Sequence, residues 1–434
     1  MDTKKIAAVI GAADVVLLVI CLIFYLGRDR KGPEIFFNEE NQIVYSDGID
    51  EELLLDGVTA VDEKDGGTRL NNDIVSGNVP DILIVSSSMP VSSYISKGLF
   101  ADLYPFIDED PDMSREDFLP NILEAYSVDG ALYQITPSFN IYTMAAKSKF
   151  VGSEPGWTMA DLLALQPNLP EGMSIFGDIT RDSFISNMLY MSSGQFVDWK
   201  TGECHFDSQE FIDFLEFANT LPEEIDPSIY EDEDYWMDYD SMYREDRCLL
   251  SSVYLNNFRT YNVSKVVTFG EDITLIGYPA AGGNGAAISS DTSYAISAQS
   301  ENKDGAWAFV RQYLLPEYQE TITYNFPIRM DRLETLMEEA KQKPYYLDEN
   351  GEKVEYDDVY YIGDQEVIVP PMTDAEVNLV RDYILSVTQV LNYDDQLINI
   401  VTEEAAAYFA GQRSAAEAAE IIQSRAGIYI SENR

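Results

Sequence analysis

Hydrophobic and polar positions fall along this chain in distinct rhythms, and the first is an almost unbroken apolar run from Ile6 to Leu26, preceded by Lys4 and Lys5. At 1.5 Å per residue, about 20 helical residues just cross the hydrocarbon core of a bilayer. The residues before Cys21 are Leu18, Val19 and Ile20, whereas a lipoprotein cleavage site needs a small residue there, and no A-x-A-like site follows. An uncleaved membrane anchor is therefore expected over residues 1–32, with a cleaved signal as the alternative. Asp14 inside the run and Arg28, Arg30 and Lys31 after it leave the orientation open on charge alone.

Beyond Gly32, short apolar runs alternate with capped, helix-periodic stretches, a pattern that predicts an α/β fold. DILIVSSS, from Asp81 to Ser88, reads as a buried parallel strand that delivers hydroxyls to a sheet edge. Helix starts are predicted where Thr158 precedes Asp161, Asp207 precedes Glu210, Thr373 precedes Glu376 and Ser414 precedes Glu417, each at capping-box spacing. Asn350 and Gly351 predict a hairpin tip, and Gly57 to Gly67 a loop. The acidic aromatic stretch from Tyr230 to Tyr243 is expected as an exposed segment with its rings turned inward rather than as a sugar-stacking loop.

Composition narrows the function classes. The chain has 434 residues, with 76 Asp and Glu against 28 Lys and Arg, a formal charge of -48 and a pI near 4.1. Its length suits two or three domain-sized units. Such a surface repels phosphate backbones and favours neutral or cationic solutes, which argues against nucleic acid as a partner. Cys204 and Cys248, the cysteines outside the apolar run, have no C-x-x-C or Cys/His ligand spacing, which argues against a structural zinc site. They read as small core residues, with a disulfide between them left open. His205 is the single histidine and reads as a surface residue at a strand end.

There is no G-x-S-x-G elbow, Walker A loop or H-E-x-x-H, and GGNG at Gly282 to Gly285 lacks the spacing of a nucleotide-binding loop. Two carboxylates about 5 to 9.5 Å apart would suffice for glycoside hydrolysis, but with 76 of them a chance pair has no specificity. No enzymatic activity and no cofactor are expected.

A series of blocks runs in order along the chain: TRLNNDIVSGNVPDILIVSS, YISKGLFADLYPFIDED, GALYQITPSFNIYTMAAKSKFVG and WTMADLLAL, then FVDWKTGECHFDSQEFIDFLEFANTLP, LLSSVYLNNF, the long block from Ile276 to Leu315, NFPIRMDRLE, and AAAYFAGQRSAAEAAEIIQSR near the end. By the order and spacing of these blocks the chain after about Thr68 resembles the family 1 extracellular solute-binding proteins of bacterial ABC importers. The resemblance implies a periplasmic-binding-protein-like α/β fold with two lobes joined by crossing hinge strands and a ligand held between them. Residues 33–137 with 286–322 would form the first lobe, and 138–285 with 323–434 the second. The crossings would fall near Pro137 to Tyr142, at GGNG, and near Tyr324 to Pro327.

A sugar cleft needs aromatic faces for pyranose rings and Asp, Asn or Arg for hydroxyls. Near the implied junctions, Ser87 and Ser88 end a strand, and Phe139, Asn140 and Tyr142 sit on a crossing. Tyr254 and Asn256 follow LLSSV, where the resemblance places an aromatic platform, and Arg181, Asp182 and Phe184 open a cleft-side helix. These ten residues are the candidate ligand contacts. Trp307 is set aside as packing, by its helical spacing from Phe309 and Val310, and Trp157 and Trp199 as structural residues beside turns.

The resemblance implies a monomeric, membrane-tethered, extracytoplasmic protein that captures a neutral carbohydrate and presents it to the membrane subunits of an ABC permease. The stretch from Gly32 to Asp65 is short for the strand and helix that open such a lobe. This keeps an alternative open: a membrane-anchored sensor or adaptor with a degenerate solute-binding fold. A glycoside hydrolase stands third.

Overall fold

The run from Ser138 to Lys147, ten residues long and almost wholly buried, is the axis on which the rest of the chain is assembled. The computed structural model describes residues 80–433, apart from 86–88, 90, 178, 199–200, 226–234, 281–283 and 393. In chain order, the strands used below are β1 (Ile82–Val85), β2 (Ser138–Lys147), β3 (Ser174–Phe176), β4 (Cys248–Leu255), β5 (Ile273–Leu275), β6 (Ala287–Ser289), β7 (Ser293–Ile296), β8 (Phe326–Pro327), β9 (Tyr345–Leu347), β10 (Lys353–Glu355), β11 (Asp358–Ile362) and β12 (Gln365–Val369).

The central sheet has the order β6-β2-β4-β3, with β5 and β8 also paired to β2. β3 and β4 run parallel, and the pairings onto β2 are antiparallel. Alternation along β2 sorts its side chains to two cores, as the period of two requires. Phe139, Ile141 and Ala145 enter one core with the helices Pro120–Ala125, Lys303–Val310, Met330–Ala340 and Asp374–Ser386. Met144 and Ala146 enter the other with the helices Met159–Leu165, Arg181–Ser192, Gln209–Ala218, Asp395–Phe409 and Ala415–Asn433. The sheet is thus a middle layer between two helical layers, the mixed α/β arrangement expected.

The chain changes strands at two places, one near the implied crossing at Pro137 to Tyr142 and one at 290–292, after the implied crossing at GGNG. β2 enters the central sheet at Ser138, and the chain leaves that sheet after Ser289 to join β1 at Ser293. Residues 326–387 contribute to the first core and 391–430 to the second. At Gly285, Tyr278 N–H donates to the Gly285 carbonyl, and a Cβ on Gly285 would lie 2.1 Å from the Tyr278 oxygen, so no larger residue fits there.

Several local expectations are met. The Thr158–Asp161 and Thr373–Glu376 capping boxes are both formed, and Ser414 and Glu417 exchange the same pair of hydrogen bonds. The turn at Asn350 and Gly351 joins β9 to β10. Cys204 and Cys248 are buried in different cores and are not joined by a disulfide. His205 is exposed beyond the ribbon strand Glu203–Cys204. Trp307 stacks on Phe106 and donates its indole N–H to Asp110.

Two expectations are corrected. β1 is antiparallel, not parallel, because its partner is β7, the strand returning from the central sheet, with Ile82 opposite Ile296. The helix expected to be capped by Asp207 is capped by Ser208, which accepts from Phe211 N–H. That one-residue shift puts Glu210 in the second position of the helix, out of reach of a reciprocal box. Within the acidic aromatic stretch, Tyr235–Arg244 is a helix, and Tyr243 turns inward onto Phe269 in the first core, as expected. The anchor expected over 1–32, the loop at 57–67 and Trp199 lie outside the described residues. Among the described residues, no helix is long and apolar enough to cross a membrane.

Candidate binding site

The β2–β4 ladder positions the site. Tyr142 and Tyr254 are direct cross-strand partners, and their rings meet edge to face with centroids 5.0 Å apart. Following the same face toward the core, β2 continues to Met144 and Ala146, both buried, while β4 passes from exposed Ser252 to buried Leu250. The apolar face therefore runs out at the Tyr142 end, where two half-buried rings and a hydroxyl take its place. Tyr278, buried beside it, hydrogen-bonds Ser252.

Asn140 lies two residues before Tyr142 on the same face of β2, opposite Ser289 of β6. Its side chain is fully buried, yet neither its amide nitrogen nor its oxygen has a hydrogen-bond partner among the described residues. An unmet buried polar group costs about 1–3 kcal/mol, so stability alone does not explain an asparagine here. Burial, followed by the charge of Asp291, pushes the Tyr142 phenol above its ordinary value. Asp291 is exposed on the link between β6 and β7 and accepts a 3.0 Å hydrogen bond from the Asn325 amide. Asn325 Oδ1 is a second buried acceptor without a partner. Tyr324, beside it, is 67% exposed, and its carbonyl accepts from Asn257.

Of the ten candidate contacts, Asn140, Tyr142 and Tyr254 are brought together. Asn256 is on the same strand end, but its carboxamide accepts from Thr260 Oγ1 at 2.5 Å, next to the helix cap made by Asn257. Phe139 points to the opposite face and packs on Phe326 in the first core. Phe184 sits among Phe176, Phe214 and Phe217 in the second core, with ring centroids 5.1 to 5.4 Å away. Arg181 stacks over Phe409 and pairs with Glu223, and Asp182 is exposed beside it. Phe176 pairs with Leu250, four residues before Tyr254, so this group is about 14 Å along the sheet from the tyrosine pair at roughly 3.4 Å per residue. Ser87 and Ser88 lie outside the described residues.

Sequence reasoning missed Asp291, Tyr324, Asn325 and Ser252. Asp291 and Asn325 lie 34 residues apart, and only the strand pairings bring them together; Tyr324 and Asn325 both stood inside a crossing already identified and were readable there. Two surface grooves, of about 470 and 780 Å³, include none of these residues. Among the described residues, no cluster of three His, Cys, Asp or Glu side chains is placed to hold a metal ion.

In comparison with known proteins, residues 58–344 match the model of the bacterial extracellular solute-binding protein family. No curated protein matches the chain in sequence. The sugar-binding protein MalE of Xanthomonas citri is 12% identical, over 86% of this chain and 90% of its own, with a TM-score of 0.52. A family 1 extracellular solute-binding protein of Alicyclobacillus acidocaldarius is 14% identical, over 84% and 87%, with a TM-score of 0.49. The cyclic α-maltosyl-1,6-maltose binding protein of Arthrobacter globiformis is also 14% identical, over 86% and 90%, with a TM-score of 0.49.

Proposed function

The chain belongs to the bacterial extracellular solute-binding protein family, a binding protein and not an enzyme, and from that premise we propose that it captures a neutral carbohydrate at the Tyr142–Tyr254 end of the central sheet and presents it to an ABC permease. The observation that carries this reading is the tyrosine pair beside the unpartnered amide of Asn140. Aromatic faces take up the apolar faces of pyranose rings, while an amide supplies a donor and an acceptor to their hydroxyls. Asp291 and Asn325 add polar groups at the same end, and no cation is needed for an uncharged cargo.

In this reading, residues 33–137 with 290–322 and residues 138–289 with 323–434 act as two lobes, the second boundary lying at 290–292, where the chain changes strands, and residues 326–387 packing against the first core. Binding shifts an open form toward a closed one, and that two-state closure is the whole mechanism. Residues 1–32 tether the monomeric body at the extracytoplasmic face.

A thermal-shift screen of the full chain against mono- and oligosaccharides, amino acids and peptides tests the reading. Ligand at a hundredfold excess over Kd stabilises the native state by about 2.7 kcal/mol, so one sugar class is expected to raise the midpoint. No shift with any sugar would reject carbohydrate capture and favour the sensor or adaptor.

A further inference from the structure

The family match stops at residue 344, one residue before β9. Residues 345–369 form a pair of β-hairpins, β9–β10 and β11–β12, each a separate two-stranded sheet whose strands pair with nothing else among the described residues. The inner face of the second hairpin is accounted for. Val367 and Val369 pack on Val267 with Tyr360 and Ile362 alongside, and Arg259 clamps Asp358 with two hydrogen bonds of 2.7 and 2.8 Å. Its outer face is uncovered among the described residues. Val359 pairs with Ile368 there and Tyr361 stands next to them, 68% exposed. On the first hairpin, Tyr345 and Leu347 share one face and are 50% and 63% exposed.

Exposed tyrosine and aliphatic side chains among charged ones are the composition of a protein contact. Tyrosines alone would also suit a sugar, but Leu347, Val359 and Ile368 offer no ring face for stacking. The charge of the rim selects the partner. Between Lys343 and Val369 there are eight acidic side chains and two lysines. Both lysines are engaged within the hairpins, Lys343 with Asp357 at 2.7 Å and Lys353 with Glu355 and the Tyr345 ring. A second copy of this chain, also at -48, would be repelled.

We propose that the double hairpin is a docking surface for an extended basic segment of another protein, with alternating apolar and Lys or Arg side chains. Its backbone would add to an open strand edge, its apolar side chains would cover Tyr361 and Ile368, and its cations would face the acidic rim. This surface is independent of the Tyr142 site.

The test is hydrogen–deuterium exchange of the full chain with a short peptide alternating lysine and valine, alongside fluorescence anisotropy with the same peptide. Amides within 345–369 are expected to gain protection, and Tyr361→Ser/Ile368→Thr, which changes no charge and no buried residue, should weaken the peptide about tenfold. A peptide alternating glutamate and valine should not bind. Protection spread over other acidic surfaces, unchanged affinity in the double variant, or protection of these amides by a neutral soluble glucan would each overturn the proposal. Because the exchange experiment uses the unmodified chain, a variant that failed to fold would not leave the question open.

Discussion

Asn140 and Tyr142 share one face of β2, yet the asparagine side chain is fully buried with both polar atoms unpartnered while the tyrosine ring beside it is half exposed. A stability-driven strand would place an apolar residue at the first position. The pair makes sense as a place where polar binding capacity is held in reserve next to an aromatic surface.

Asn140→Leu should therefore separate stability from function. Removing a buried, unsatisfied amide at similar volume is expected to leave the chain as stable or to raise its stability by about 1–3 kcal/mol, while carbohydrate affinity falls. Chemical denaturation and a sugar titration on the same preparation measure the two effects.

Phe184 contributes to packing, at the centre of a ring cluster with Phe176, Phe214 and Phe217. Phe184→Ala is expected to cost about 3–5 kcal/mol of folding stability. Affinity per folded molecule should stay near that of the unmodified chain, which calorimetry below the new melting midpoint would check.

Glu210 sets a pH dependence. Burial, then the neighbouring charge of Asp213, raise its carboxyl above the ordinary value, and a hydrogen bond from the Met159 backbone only partly opposes them. The folded state thus holds this proton more tightly than the unfolded state. The stability Glu210 contributes is fully present below its unfolded pKa and is lost as pH rises through the raised folded value. Glu210→Gln should melt higher than the unmodified chain at neutral pH, with the difference closing below pH of about 4. Paired melting curves across that range measure it.

These residues also show what a sequence discloses. The caps at Thr158, Thr373 and Ser414 were legible because each is settled within four residues. The Asp207 to Ser208 shift was not, since both residues are competent caps and the turn before the helix decides between them: Ser208 N–H donates to the His205 carbonyl. β1 was legible as a strand from its apolar run, but its direction depends on β7, more than two hundred residues later. Tyr142 and Tyr254 were found from blocks that resemble a family, whereas Asp291 carries no local pattern and meets Asn325 only through the pairing of β6, β7 and β8. Phe184 and Arg181 illustrate the converse. A well-capped helix start says where a helix begins and nothing about which end of the sheet it serves.

The most direct measurement is isothermal titration of the full chain and of Tyr254→Ala with neutral mono- and oligosaccharides. The account predicts that at least one sugar binds the unmodified chain and that the variant binds it about tenfold more weakly or worse, a loss of roughly 1.4 kcal/mol, with no product formed. Binding that is equal in the two proteins, or absent from the unmodified chain across all sugars, would contradict it.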